Sequence, residues 1–120
     1  MPRPVHFEIL ARNPEKISSF YRQVFDWKID AWSGGDQKYW LVTTGGEESP
    51  GINGGIMARC FEQAVINTIA VEALDDMIAK VEAAGGRKVN GPNEIPDVGL
   101  HVYCTDPDGN LFGMIQMMPA

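Results

Sequence analysis

Apolar and polar positions alternate from Val5 to Ala11: Val5, Phe7 and Ile9 take one face, His6, Glu8 and Leu10 the other. That is the pattern of a strand with one apolar and one mixed face. Asn13-Pro14-Glu15 then has the order of a helix start, with a capping residue, a proline at the first helical position and an acid in the first turn. Ile17, Phe20, Tyr21, Val24 and Phe25 recur at helical spacing, with Glu15, Lys16, Ser18, Ser19, Arg22 and Gln23 on the wet side. The helix is expected to end near Phe25-Asp26. Trp27–Trp32 and Lys38–Thr44 read as strands on either side of a Ser33-Gly34-Gly35-Asp36 turn. Gly45–Gly55, with five glycines and a proline, reads as a loop at a pocket rim, followed by a short strand over Ile56–Arg59.

The second half runs through the same order. Val65–Val71 reads as a strand. A helix opens at Ala73 or Leu74, carries the stripe Leu74, Met77, Ile78, Val81 and Ala84, and stops at a left-handed Gly85-Gly86 cap. Arg87–Asn90 reads as a strand, Gly91–Gly99 as a loop, Leu100–Thr105 as a strand, Asp106–Asn110 as a tight turn and Leu111–Met117 as the last strand. The order is therefore βαβββ twice, at an offset of about 60 residues that slips to 58 near the end of each half, where Gly55 meets Gly113. The fold class is α+β: one domain over residues 1–120, with a first module over about 1–60 and a second over about 65–120. Two such modules side by side form a curved mixed sheet. Its helix-free concave face is a natural pocket, into which His6, Glu8 and Leu10, and Ile66, Thr68 and Ala70, would point.

Composition narrows the function. With 44% apolar and 22% charged residues the chain has the balance of a soluble globular protein. No run approaches the roughly 18 continuous apolar residues of a membrane span, and the start has no apolar signal core, so a cytoplasmic protein is expected. Ten basic residues against sixteen acidic ones leave a net charge of −6, which argues against nucleic acid and would suit a cationic ligand by steering. Cys60 and Cys104 lie apart in apolar stretches without metal-binding spacing, and read as semi-buried thiols.

Three strings then stand out: His6-Phe-Glu-Ile-Leu, Phe20-Tyr21-Arg-Gln-Val-Phe25-Asp-Trp27, and Asp106-Pro-Asp-Gly-Asn-Leu-Phe-Gly-Met-Ile-Gln116. Over nearly the whole chain they resemble the vicinal oxygen chelate superfamily of glyoxalase I, extradiol dioxygenases and bleomycin- and fosfomycin-resistance proteins. The resemblance implies a divalent metal in the metal-using members, held by four His, Glu or Gln ligands on the first and last strands of each module. It binds vicinal substrate oxygens and stabilises an enolate or alkoxide. Carried over one position at a time, the first ligand falls on His6. The second falls on Ile66, or on Asn67 if the register slips by one; the last-strand positions fall on Gly55 and Gly113. One donor in four is not a metal site, so no metal and no other cofactor is expected. If a metal is present, His6 holds it; a shifted register could add Glu8, Asn67 or Gln116. The resemblance also implies a homodimer.

The candidate catalytic residues are His6, a ligand or acid/base group, and Glu8, which could orient His6 or take a proton. The candidate ligand-binding residues are His6, Glu8, Trp40, Thr68, His101 and Tyr103. Trp27 is expected in the core. The leading expectation is a metal-free protein that binds a small molecule on the concave face. The alternatives are an enzyme of lactoylglutathione-lyase or dioxygenase type using His6, and a non-catalytic interaction protein.

Overall fold

The computed structural model describes residues 2–32 and 38–119. The turn expected at Ser33–Asp36 lies outside the described residues. The chain is α+β, with the order β1 (Arg3–Ala11), α1 (Pro14–Phe25), β2 (Lys28–Trp32), β3 (Tyr39–Thr43), β4 (Asn53–Ala58), β5 (Val65–Ala70), α2 (Leu74–Ala83), β6 (Arg87–Ile95), β7 (Gly99–Thr105) and β8 (Leu111–Met117). It divides into two compact units. Residues 6–65 form one, and residues 66–119 with the start of the chain form the other.

In the 6–65 unit the strand order is β2-β3-β4-β1. The β1–β4 pair is parallel and the β2–β3 and β3–β4 pairs are antiparallel. The alternation of β1 settles which side is which. Phe7, Ile9 and Ala11 turn toward the core with Ile29, Val42 and Ile56, and Ile17, Tyr21 and Trp27 pack against them. Trp27 stacks on Tyr21, with ring centroids 5.1 Å apart and an interplanar angle of 2°. Helix α1 begins as its sequence dictates: the Asn13 side chain accepts the Lys16 N–H at 3.2 Å, with Pro14 at the first helical position. It ends on Asp26 in the left-handed conformation.

In the other unit the order is β5-β8-β7-β6. Val71, Leu74, Val102, Cys104 and Met114 form its core, with Ile69, Met77, Ile78, Val81 and Phe112 against them. The α2 cap is tertiary. Ala73 has no capping side chain, and the Leu74 N–H instead donates to Gln116 Oε1 on β8 at 2.8 Å. The Gly86 N–H returns to the Val81 carbonyl, and Gly85 sits at φ +98°, which places the stop at the expected glycines.

Several boundaries and faces depart from the sequence reading. Strand β4 starts at Asn53 rather than Ile56, so Gly54 and Gly55 lie inside a buried strand. They read as loop residues because glycine usually breaks a strand, but here each lies beneath a neighbouring ring that a side chain would strike. Strand β6 runs through the expected Gly91–Gly99 loop as far as Ile95. It pairs on one side only, with β7, and shifts register twice between Lys88 and Asn93, so an edge strand accommodates Pro92. On α1 the buried residue is Ser18, assigned to the wet side, while Phe20, Val24 and Phe25 are each more than half exposed. Cys60 is exposed and only Cys104 is buried. Among the described residues no helix is long and apolar enough to cross a membrane.

Candidate functional site

The face of the 6–65 unit opposite α1 carries the side chains of alternate residues in β1, β4 and β3. Glu8 stands opposite Gly55, and Gly55 opposite Leu41. Tyr39, two residues before Leu41, pairs with Met57. With no side chain on Gly55, the Tyr39 ring lies across the strand. A Cβ built on Gly55 would collide with the Tyr39 ring and phenol oxygen. The phenol thereby reaches β1. Tyr39 Oη donates to Glu8 Oε2 at 2.9 Å, and His6 Nε2 lies 2.9 Å from Tyr39 Oη. Glu8 is buried, and His6 and Tyr39 are half-buried.

A phenol has one proton. Since Tyr39 gives it to Glu8, the phenol oxygen is the acceptor toward His6, and His6 Nε2 carries the hydrogen. The order is His6 Nε2–H to Tyr39 Oη–H to Glu8. Burial holds the His6 ring below the ordinary imidazole value, with the Glu8 charge pulling the other way. Trp32, which pairs with Tyr39 across β2 and β3, meets it edge-on at 6.0 Å.

The 66–119 unit repeats the device with other residues. Thr68 stands opposite Gly113, and His101 on β7 pairs with Ile115, two residues beyond. Here His101 is the ring over the glycine: a Cβ on Gly113 would lie 2.7 Å from His101 Nε2 and 2.9 Å from Thr68 Oγ1. Tyr103 meets His101 edge-on at 4.5 Å. Thr68 and His101 are both buried.

Within the 6–65 unit the structure groups His6 with Glu8, and within the 66–119 unit it groups Thr68 with His101 and Tyr103. Trp40 does not join either group. It packs on the α1 side with the Val42 and Ile56 cluster, because in β3 it shares parity with Val42, and Tyr39 takes the other face. Trp40 does line a cavity of about 490 Å³ between α1 and the ends of β2 and β3, with Arg22, Trp32 and Tyr39 among its other walls. Sequence reading weighed Tyr39 and Trp32 only as aromatics of unassigned face. The signal for Tyr39 was its place two residues before Leu41, the residue opposite Gly55, which needs the strand register to be read.

The donor set does not fit the four-ligand metal site of the family's metal-using members. Tyr39 fills the space over Gly55 and engages both His6 Nε2 and Glu8. His101 and Thr68 fill the space over Gly113. Ile66, on the same face as Thr68, is fully buried and offers no donor, and Gln116 is engaged as the α2 cap. Among the described residues no three His, Cys, Asp or Glu side chains converge as a metal-binding group.

Comparison with known proteins agrees with this architecture. Two mycobacterial proteins, from Mycobacterium bovis and Mycobacterium tuberculosis, each named "Putative glyoxylase CFP32", are 27% identical over 93% of this chain. The chain spans 43% of their length. Among solved structures, hypothetical protein BH1468 from Bacillus halodurans superposes with a TM-score of 0.73 at 13% identity, covering 99% of this chain and 96% of that one. Methylmalonyl-CoA epimerase from Mycobacterium tuberculosis gives 0.71 at 15% identity, covering 97% and 88%. These structural likenesses concern the fold. The Glyoxalase/Bleomycin resistance protein/Dioxygenase superfamily model matches residues 3–114, and with so much of the chain covered, the protein belongs to that superfamily.

Proposed function

We propose that the chain binds a small molecule without a metal, on the face of the 6–65 unit that carries His6, Tyr39 and Glu8. The observation that carries this reading is the Tyr39 phenol lying over Gly55, where a chelating side chain would otherwise project. Hydrogen bonds through the Tyr39 phenol link the polar groups of this face, His6 and Glu8. The half-buried His6 ring leaves room for contact with a ligand, and the edge-on Trp32 supplies an apolar wall. The test pairs metal analysis of the purified protein with a thermal-shift screen of small organic compounds. A compound that prefers the native state raises the melting temperature, and His6→Ala is expected to abolish that rise. A stoichiometric divalent ion lost on His6→Ala overturns the metal-free reading. No rise with any compound favours an interaction protein.

One observation also favours an enzyme. His6, Tyr39 and Glu8 form a continuous path for a proton. A proton taken from a substrate at His6 Nδ1 would release the Nε2 proton to the Tyr39 oxygen, as the Tyr39 proton passes to Glu8. Turnover of a hemithioacetal or a catechol, lost on His6→Ala, establishes this alternative; binding without turnover excludes it for those substrates.

A further inference from the structure

We infer that Tyr39 is a positioning residue that fixes His6 as its Nε2–H tautomer, so that the site presents Nδ1 as a lone-pair acceptor and selects ligands that donate a hydrogen bond, protonated amines foremost. The inference rests on the binding reading above and names its ligand class. The two ring nitrogens of a neutral histidine have opposite roles, and the partner of one decides the other. Nε2 faces the Tyr39 phenol, whose proton is committed to Glu8. Nε2 must therefore donate, and Nδ1 must be bare. Nδ1 has no hydrogen-bond partner among the described residues, and the ring is half-buried rather than enclosed. A ligand oxygen that can only accept would meet a lone pair there. A ligand N–H or O–H would be satisfied. The Glu8 carboxylate behind the phenol favours positive charge at this place.

The chain has two histidines, His6 and His101, so long-range proton–nitrogen NMR on the histidine-labelled full chain can read each ring, with His6→Gln assigning the signals. At a pH where the ring is neutral, His6 is expected to show the Nε2–H pattern. In Tyr39→Phe, which removes the acceptor, the pattern should shift toward a mixture of tautomers. An Nδ1–H pattern in the wild type overturns the inference, and this needs no variant to fold. An unchanged pattern in a folded Tyr39→Phe overturns the role of Tyr39. The ligand class is then read at the His6 Nδ1 resonance during titration with butylammonium chloride and, separately, sodium butyrate. Butylammonium is expected to move it and butyrate is not. A response to butyrate, or to neither in large excess, overturns the donor class. A compound that raises the melting temperature only while His6 is present would still stand in either case, so failure here is distinct from failure of the binding reading.

Discussion

Tyr39 and Gly55 act as one packing unit, since the ring can cross the strand only while the glycine carries no side chain. Gly55→Ala is therefore expected to destabilise the protein by about 1–3 kcal/mol, the usual cost of overpacking. Tyr39→Ala removes the collision. The double variant should be less destabilised than the sum of the two singles, because contacting residues couple. Urea denaturation of the four proteins measures this, and strict additivity would count against the ring-over-glycine contact. His6 makes a second prediction. Its folded-state value is lowered below 6.5, by burial first, with Glu8 opposing. As the pH falls, the unfolded chain takes up this proton before the folded one. The stability linked to His6 is thus intact above about pH 6.5 and is lost progressively below it. The difference in unfolding free energy between the wild type and His6→Gln should be level above that pH and fall on acidification. A difference that rises on acidification would mean that the Glu8 attraction outweighs burial.

Each helix illustrates a different source of capping. Asn13 caps α1 from within its own segment, whereas α2 is capped by Gln116 from a strand 42 residues away. Gln116→Ala and Asn13→Ala should each cost about 1 kcal/mol, as lost caps do. Only the first should speed hydrogen exchange at the Leu74 amide, and unchanged exchange there would argue against the cap. The contrast explains what the sequence could and could not say. Local signals placed α1, the Asp106–Asn110 turn and the alternating strands, because those elements obey their own residues: the Asp106 side chain accepts the N–H groups of Asp108 and Asn110, both at 2.9 Å. The start of β4 and the length of β6 depend on what lies alongside, so their glycines and proline misled. At the site, alternation placed His6 with Glu8 and His101 with Tyr103. The face of Trp40 and the partnership of Tyr39 with both His6 and Glu8 depend on the pairing of β3, which no local pattern fixes.

At the scale of the molecule, each unit carries its own core and its own polar group seated over a glycine. The whole chain bears a net charge of −6. A cationic ligand approaching it is drawn by a field that salt screens over roughly 10 Å at 0.1 M. The apparent affinity for butylammonium should therefore fall as sodium chloride is raised, while the His6 tautomer stays as it is. An affinity indifferent to salt would confine recognition to the short-range contacts at His6. The glycines beneath Tyr39 and His101 also constrain how this chain could evolve. A chelating carboxylate gained at Gly55 or Gly113 would meet the Tyr39 ring or the His101 imidazole in its space, so that neighbour would have to move aside to admit it. Each glycine is thus tied to the side chain above it, so that a change at one member of the pair is felt at the other.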